Sequence, residues 1–100
     1  MSRVALVVDL RGRSIETIDD FWDAIAGPAG LPSWFGRNTD AWRDTIYVGG
    51  ISEVLDSHGG GIIVHVDRAG FFAKKNREFR QFRRTFGGRK SKLVIHDPPA

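Results

Sequence analysis

The stretch that decides the fold lies in the second half of the chain, where IIVHV at residues 62–66 and KLVIH at residues 92–96 flank a mostly polar segment. Both short apolar runs are rich in β-branched residues and predict strands. Phenylalanine spacing predicts one long helix over residues 71–86, with Phe72, Phe79, Phe82 and Phe86 on a single apolar stripe. A strand, helix, strand unit favours a parallel sheet, because the helix returns the chain to the start of the next strand.

The first half of the chain supplies the remaining elements. VALVVD at residues 4–9 is almost continuously apolar and predicts a strand buried on both faces. Helices are predicted over residues 19–26, 39–47 and 51–55; the first ends at Gly27-Pro28, and Asn38 or Thr39 caps the second. The sequence therefore predicts one α/β domain over residues 1–100, a small three-stranded parallel sheet packed with three to four helices.

Composition excludes several classes of function. The chain has 100 residues and no cysteine, which rules out disulfides, thiolate metal sites and cysteine nucleophiles. The apolar run at residues 4–8 is too short for a membrane span or a signal-peptide core, so we expect a cytoplasmic protein without membrane association. His65 and His96 fall in predicted strands and are interpreted as structural residues; no metal or cofactor is expected, because no ligand spacing is present.

Charge is divided unevenly along the chain. Five arginines and nine acidic residues leave residues 1–66 at −4, whereas ten basic and three acidic residues leave residues 67–100 at +7. This split indicates either two faces with different partners or one functional and one solvated face. Arg77, Arg80 and Arg84 follow helical spacing away from the Phe stripe. They form a secondary basic surface that either binds an acidic partner or nucleic acid, or is simply solvated.

The segment LPSWFGRNTDAWRDTI at residues 31–46 carries the most informative chemistry. Asp40 and Asp44 lie about 40° apart around the predicted helix and about one turn apart along it. Like charges at this spacing disfavour a helix by a few tenths of a kcal/mol, so stability alone gives little reason to hold both. Beside Trp34 they would suit capture of a cationic pocket. Spacing alone equally permits a solvated face with weak ion pairs to Arg37 and Arg43.

The order of residues in this segment resembles the barstar family, intracellular inhibitors of the secreted ribonuclease barnase. The matching features are Leu31-Pro32 before two aromatics, then Gly36, Asn38, Asp40-Ala41, a further aromatic and Asp44. The resemblance covers about residues 3–47. It implies an inhibitor rather than an enzyme, which binds a barnase-like or other microbial ribonuclease stoichiometrically, is a monomer when free, and protects its host cell from a toxic nuclease.

The resemblance also implies individual roles within the ribonuclease-binding segment from Trp34 to Asp44. Asp44 matches the family's principal acid, which occupies the place of the substrate phosphate. Asp40 matches a second acid that meets the recognition side of the pocket. Trp34 takes the place of a tyrosine that packs on a catalytic histidine, and Gly36 and Asn38 match binding-loop positions.

Three departures from the family pattern bear on the partner. Arg43 belongs to the predicted binding segment but stands where the family has tryptophan, and it opposes a basic enzyme unless it turns toward Asp40. Glu78 does not align securely with the acid on the family's last helix, and the chain is basic overall. Two rival hypotheses therefore stay open: a nucleic-acid-binding module that uses the Arg-rich helix, and a small hydrolase built on Asp40 and Asp44, for which no supporting motif is present.

Overall fold

The computed structural model describes residues 4–59, 61–88 and 90–97. Within them, three strands form one parallel sheet in the order β1 (Leu6–Asp9), β2 (Ile62–Asp67) and β3 (Lys92–His96). Val8 lies beside Val64 in the register of the first pair, and Val64 lies beside Leu93 in that of the second. The predicted fold class, an α/β domain with a small three-stranded parallel sheet, is confirmed.

Helices fill both connections between the strands. Between β1 and β2 lie α1 (Ile18–Ala26), α2 (Thr39–Tyr47) and α3 (Glu53–Ser57). Between β2 and β3 lie a short 3₁₀ helix (Gly70–Ala73) and α4 (Arg77–Arg84). The bounds of α2 and β3 agree with the prediction, whereas α3 begins two residues later than predicted because Ser52 caps it.

Each α-helix begins at a side chain that accepts a hydrogen bond from a backbone N–H of its first turn. Thr17 and Asp20 form a reciprocal capping box at α1. Asn38 caps α2, Ser52 caps α3 and Asn76 caps α4. The helix starts are therefore encoded locally, in polar residues that satisfy otherwise unpaired backbone donors.

Among the described residues, helices cover one face of the sheet. Strand order follows chain order. Crossovers between parallel strands are almost always right-handed, and two successive crossovers of the same hand place their helices on the same side of the sheet. Val8 and Val64 face the core, whereas Val7 is 57% exposed and Asp9 is exposed. The prediction that the first strand is buried on both faces was wrong, because both crossovers cover the face that carries Val8, whereas Val7 and Asp9 lie on the other face.

A cluster of aromatic rings joins the helices. Phe21 of α1 makes edge-to-face contacts with Trp22, Trp42 of α2 and Phe82 of α4, at centroid distances of 5.2, 5.9 and 4.8 Å. All four side chains are fully buried. Such contacts add to the large apolar area that each ring removes from water. The cluster therefore holds α2 firmly against the rest of the domain.

The predicted long helix over residues 71–86 was wrong. The chain forms the 3₁₀ helix at Gly70–Ala73, leaves it, and begins α4 at Arg77. Asn76 causes the new start, because its Oδ1 accepts a hydrogen bond from the Phe79 N–H at 2.9 Å. Phe72 and Phe86 are buried as expected, but they lie outside α4.

Candidate functional site

The loop before α2 is anchored by one aromatic ring and exposes the next. Phe35 is buried, with its ring 5.5 Å from that of Trp22, and its N–H donates to the Pro32 carbonyl oxygen at 3.0 Å. Trp34 is 68% exposed. The loop is therefore fixed from below by Phe35 while Trp34, a predicted binding residue, lies at the surface.

Arg37 ties the same loop to α1. Its guanidinium donates to the Asp23 carboxylate at 2.9 Å and to the Asp19 carbonyl oxygen at 3.1 Å, and it lies 3.6 Å from the Asp19 carboxylate. Its φ of 49° is uncommon for a residue other than glycine. Arg37 therefore pairs with acids of α1, and the alternative in which it neutralises the acids of α2 is not what the structure shows.

Asn38 connects the loop to α2 through both ends of its side chain. Oδ1 accepts from the Ala41 N–H at 2.7 Å, and Nδ2 donates to the Gly36 carbonyl oxygen at 3.0 Å. A Cβ added at Gly36 would lie 3.2 Å from the Asn38 amide nitrogen and 3.4 Å from the Ala41 Cβ. The two residues predicted from the binding loop therefore set the conformation from which α2 begins.

The outer face of α2 carries the two predicted acids. Trp42, Thr45 and Ile46 are buried, whereas Asp40 and Asp44 are exposed. Within residues 4–59, 61–88 and 90–97, no side chain forms an ion pair or a hydrogen bond with either carboxylate. The helix thus presents two carboxylates, one turn apart, that are available to a partner.

A groove of about 680 Å³ separates α2 from α4. Asp40, Arg43 and Tyr47 line it from α2, and Gln81 and Arg84 line it from α4. Arg43 shares the groove with Asp40 but forms no ion pair with it, and Arg84 forms none with any described residue. The arginine that departs from the family pattern is therefore not neutralised internally.

Sequence reasoning missed two exposed apolar residues at the end of α2. Tyr47 is 52% exposed and Val48 is 78% exposed. They follow Asp44 by three and four positions, which places them next to it on a helix surface. That spacing was the available signal, but the predicted segment ended at Asp44.

The other polar features lie outside this surface. His65 Nδ1 is 2.8 Å from His96 Nε2, and the rings stack between β2 and β3. In the described part of the chain, no group of three or more potential ligands is placed to hold a metal ion. No helix there is long and apolar enough to cross a membrane.

A local ion pair joins Asp9, the last residue of β1, to Arg11 in the following turn. The Arg11 guanidinium and backbone N–H donate hydrogen bonds to the Asp9 carboxylate, at distances of 2.8–3.0 Å. These bonds hold the pKa of Asp9 well below its usual range and raise the pKa of Arg11. The pair lies outside the segment from Trp34 to Asp44.

The family model described as barstar (barnase inhibitor) matches residues 5–92. None of the curated proteins compared matches the chain. The chain belongs to the barstar family, whose members inhibit ribonucleases such as barnase and are not enzymes.

The predicted site residues fall into two groups in the structure. Asp40, Arg43 and Asp44 lie together on the exposed face of α2, and Trp34 stands at the surface of the preceding loop. Arg77, Arg80 and Arg84 are exposed on α4, where Arg84 reaches the groove shared with α2. Their contact with a ribonuclease stays a prediction.

Proposed function

We propose that the chain inhibits a barnase-like or other microbial ribonuclease by binding stoichiometrically through the segment from Trp34 to Asp44. Asp44, with Asp40 beside it, occupies the place of the substrate phosphate in the enzyme's active site. One observation carries the proposal: in a member of the barstar family, both carboxylates on α2 are exposed and have no cationic partner among the described residues.

Physical chemistry supports capture by these two anions. A ribonuclease that grips phosphate needs a cationic pocket, and fixed negative charges facing such a pocket speed encounter and exclude substrate by occupancy. The carboxylates stand on a helix that Trp42 and Ile46 hold by burial. Little conformational freedom is therefore lost when the enzyme binds, which favours affinity.

The loop adds an aromatic contact to the electrostatic one. Trp34 is exposed, and the adjacent Phe35 and Arg37 fix the backbone that carries it. Exposed tryptophans held on rigid backbone are frequent anchors in protein interfaces. We propose that Trp34 packs against the rim of the active site while Gly36 and Asn38 shape the loop beneath it.

A direct test measures inhibition of RNA hydrolysis by barnase, and by a barnase-like ribonuclease of net negative charge, with wild type and Asp44→Ala. We expect the variant to raise the inhibition constant by roughly 100-fold or more, the scale of an interface hot spot. Glu53→Ala is the matched control, because it removes the same charge from an exposed position on α3, outside the loop and α2. Inhibition by Asp44→Ala equal to that of wild type would rule out the proposed mechanism.

A nucleic-acid-binding function is the second candidate. Arg77, Arg80 and Arg84 are exposed on α4, and none forms an ion pair with a residue that the structure describes. This candidate predicts salt-sensitive RNA binding that the double variant Arg80→Glu/Arg84→Glu abolishes. An electrophoretic shift assay at low salt measures it, and no shift with wild type would dismiss it.

The remaining parts of the proposal concern state and location. We expect the free protein to be a monomer that needs no cofactor and acts in the cytoplasm of the cell that makes the ribonuclease. Analytical ultracentrifugation of the free protein measures whether it is a monomer. A complex with one inhibitor per enzyme is the expected product of mixing.

A further inference from the structure

Two arginines lie beside the carboxylates that are proposed to bind the enzyme. Arg43 lies on α2 between the two acids in sequence, and Arg84 faces it from α4 across the groove that Asp40 also lines. Both are exposed, and neither has a carboxylate partner in the ranges that the structure covers. The surface therefore presents cations beside its anions.

The geometry of α4 makes Arg84 part of a stripe. Arg77, Arg80 and Arg84 fall within about 60° around the helix axis, on the side opposite the buried Phe79 and Phe82. Arg84 is the member of this stripe that lines the groove. An enzyme seated on Asp40 and Asp44 would therefore meet Arg84 at its edge.

Burial of these cations under a partner sets a requirement on that partner. An arginine that loses water at an interface is costly unless it gains an anionic partner with good hydrogen-bond geometry. A partner that is basic throughout would place like charges opposite Arg43 and Arg84. A partner with carboxylates there would gain two ion pairs beside the captured carboxylates of α2.

We infer that Arg43 and Arg84 determine which ribonuclease the chain accepts: they select an enzyme whose cationic phosphate site is bordered by carboxylates, and they reject one whose border is basic. This inference rests on the proposed function, since it concerns the same surface. Charge complementarity favours a protein of mixed charge over RNA as the occupant of the groove, because Asp40 and Asp44 would repel a phosphate backbone.

The test compares two barnase-like ribonucleases, one with carboxylates around its active site and one with basic residues there. Inhibition constants are measured for wild type and for the double variant Arg43→Ala/Arg84→Ala. Arg83→Ala is the control: it removes a charge from the same helix about 100° away from Arg84. We expect the double variant to raise the constant about 10- to 100-fold for the acid-bordered enzyme and to lower it about tenfold for the enzyme with the basic border.

Changes of the same sign for both enzymes, or changes below threefold for both, would overturn the inference, as would an equal effect of Arg83→Ala. Anisotropy of a fluorescein-labelled 12-nucleotide RNA tests the other occupant: binding by wild type that the double variant loses would assign the arginines to nucleic acid. Asp44→Ala tests the proposed function separately from this inference. If that variant inhibits as well as wild type, the proposed function is wrong, regardless of the results for the arginine variants. If no form inhibits either enzyme, both proposals fall.

Discussion

Helices α1 and α2 each carry two aspartates four residues apart, yet the two pairs have different surroundings. On α1, the Arg37 guanidinium lies 2.9 Å from the Asp23 carboxylate and 3.6 Å from that of Asp19. On α2, Asp40 and Asp44 have no ion-pair partner among residues 4–59, 61–88 and 90–97. The same spacing thus gives an acidic pair tied to a loop in one helix and a free pair in the other.

This contrast shows that spacing alone does not separate a structural pair of acids from a binding pair. The position of one cation, Arg37, determines which pair is neutralised. That position depends on the conformation of the loop at residues 31–38. With φ at 49°, Arg37 directs its side chain to α1 rather than to α2. The loop therefore anchors itself on one acidic pair and leaves the other available.

The largest effect is expected from removal of the acidic pair of α2, measured against removal of the acidic pair of α1. Asp40→Ala/Asp44→Ala should raise the inhibition constant about 1,000-fold or more, because two hot-spot contacts are lost. Asp19→Ala/Asp23→Ala carries the same change of charge and should raise it less than about tenfold. RNA hydrolysis by the inhibited ribonuclease measures both, and similar losses in the two doubles would mean that overall charge, not the α2 pair, governs binding.

Substitution of Phe35 and substitution of its neighbour Trp34 should affect stability very differently. Phe35→Ala removes a buried ring packed on Trp22 and should cost roughly 3–5 kcal/mol of unfolding free energy. Trp34→Ala should leave the melting temperature within about 3 °C, because Trp34 is exposed, while it weakens inhibition roughly tenfold or more. Thermal unfolding and the inhibition assay measure the two effects; a large stability loss from Trp34→Ala would contradict the assigned placement.

Arg37→Ala should leave the acidic pair of α1 without its cation. Asp19 and Asp23 would then resemble the α2 pair, and association with a cationic enzyme should quicken about two- to threefold at low salt. Stability should fall by no more than about 1 kcal/mol, since the ion pair is partly exposed. Stopped-flow association at two ionic strengths provides the measurement, and a slower association at low salt would contradict the expected electrostatic effect of the freed α1 pair.

The smallest effect concerns Asp9, outside the proposed surface. Because the folded-state pKa of Asp9 is held below its usual 3.8 by Arg11, the ionised form stabilises the fold above that value. The contribution is lost as pH falls toward the folded-state pKa. Asp9→Asn should therefore lower the melting temperature slightly at pH 7, and the difference from wild type should shrink below about pH 4. A difference in melting temperature that grows as the pH falls would contradict the lowered pKa of Asp9.

Much of the fold follows from local signals in the sequence. The bounds of α2 were predictable because Asn38 supplies a cap and Gly49-Gly50 supplies an end, and the parallel sheet followed from the alternation of strands and helices. The exposed face of the sheet could not be predicted, because an apolar run such as that at residues 4–8 does not indicate which side the crossovers cover. Val7 is apolar but exposed, so its hydrophobicity predicts the wrong burial.

The error at α4 had a detectable cause. Phe72 and Phe79 lie seven residues apart, which fits one helical stripe, and both are buried as that stripe predicts. Asn76 lies between them, however, and a capping asparagine before Phe79 outweighs continuation of the helix. Side-chain periodicity was therefore right about burial and wrong about the backbone.

The candidate site was only partly predictable. The residue types of Asp40 and Asp44 and their shared face follow from the sequence, but their freedom from ion pairs does not, because Arg37 and Arg43 are both near enough in sequence to pair with them. Tyr47 and Val48 escaped notice although helical spacing places them beside Asp44. Which charges remain unpaired depends on tertiary structure.

The central claim is that the carboxylates of α2 take the place of a phosphate, and competition with phosphate tests it most directly. Inhibition of the ribonuclease would be measured at constant ionic strength with increasing concentrations of a nucleoside 3′-monophosphate, the product of RNA cleavage. The apparent inhibition constant of the wild-type chain should rise linearly with nucleotide concentration, by the factor one plus the ratio of that concentration to the Kd of the nucleotide, because the two compete for one site. A constant that stays unchanged while the nucleotide saturates the enzyme would contradict the claim, because the two could then bind together.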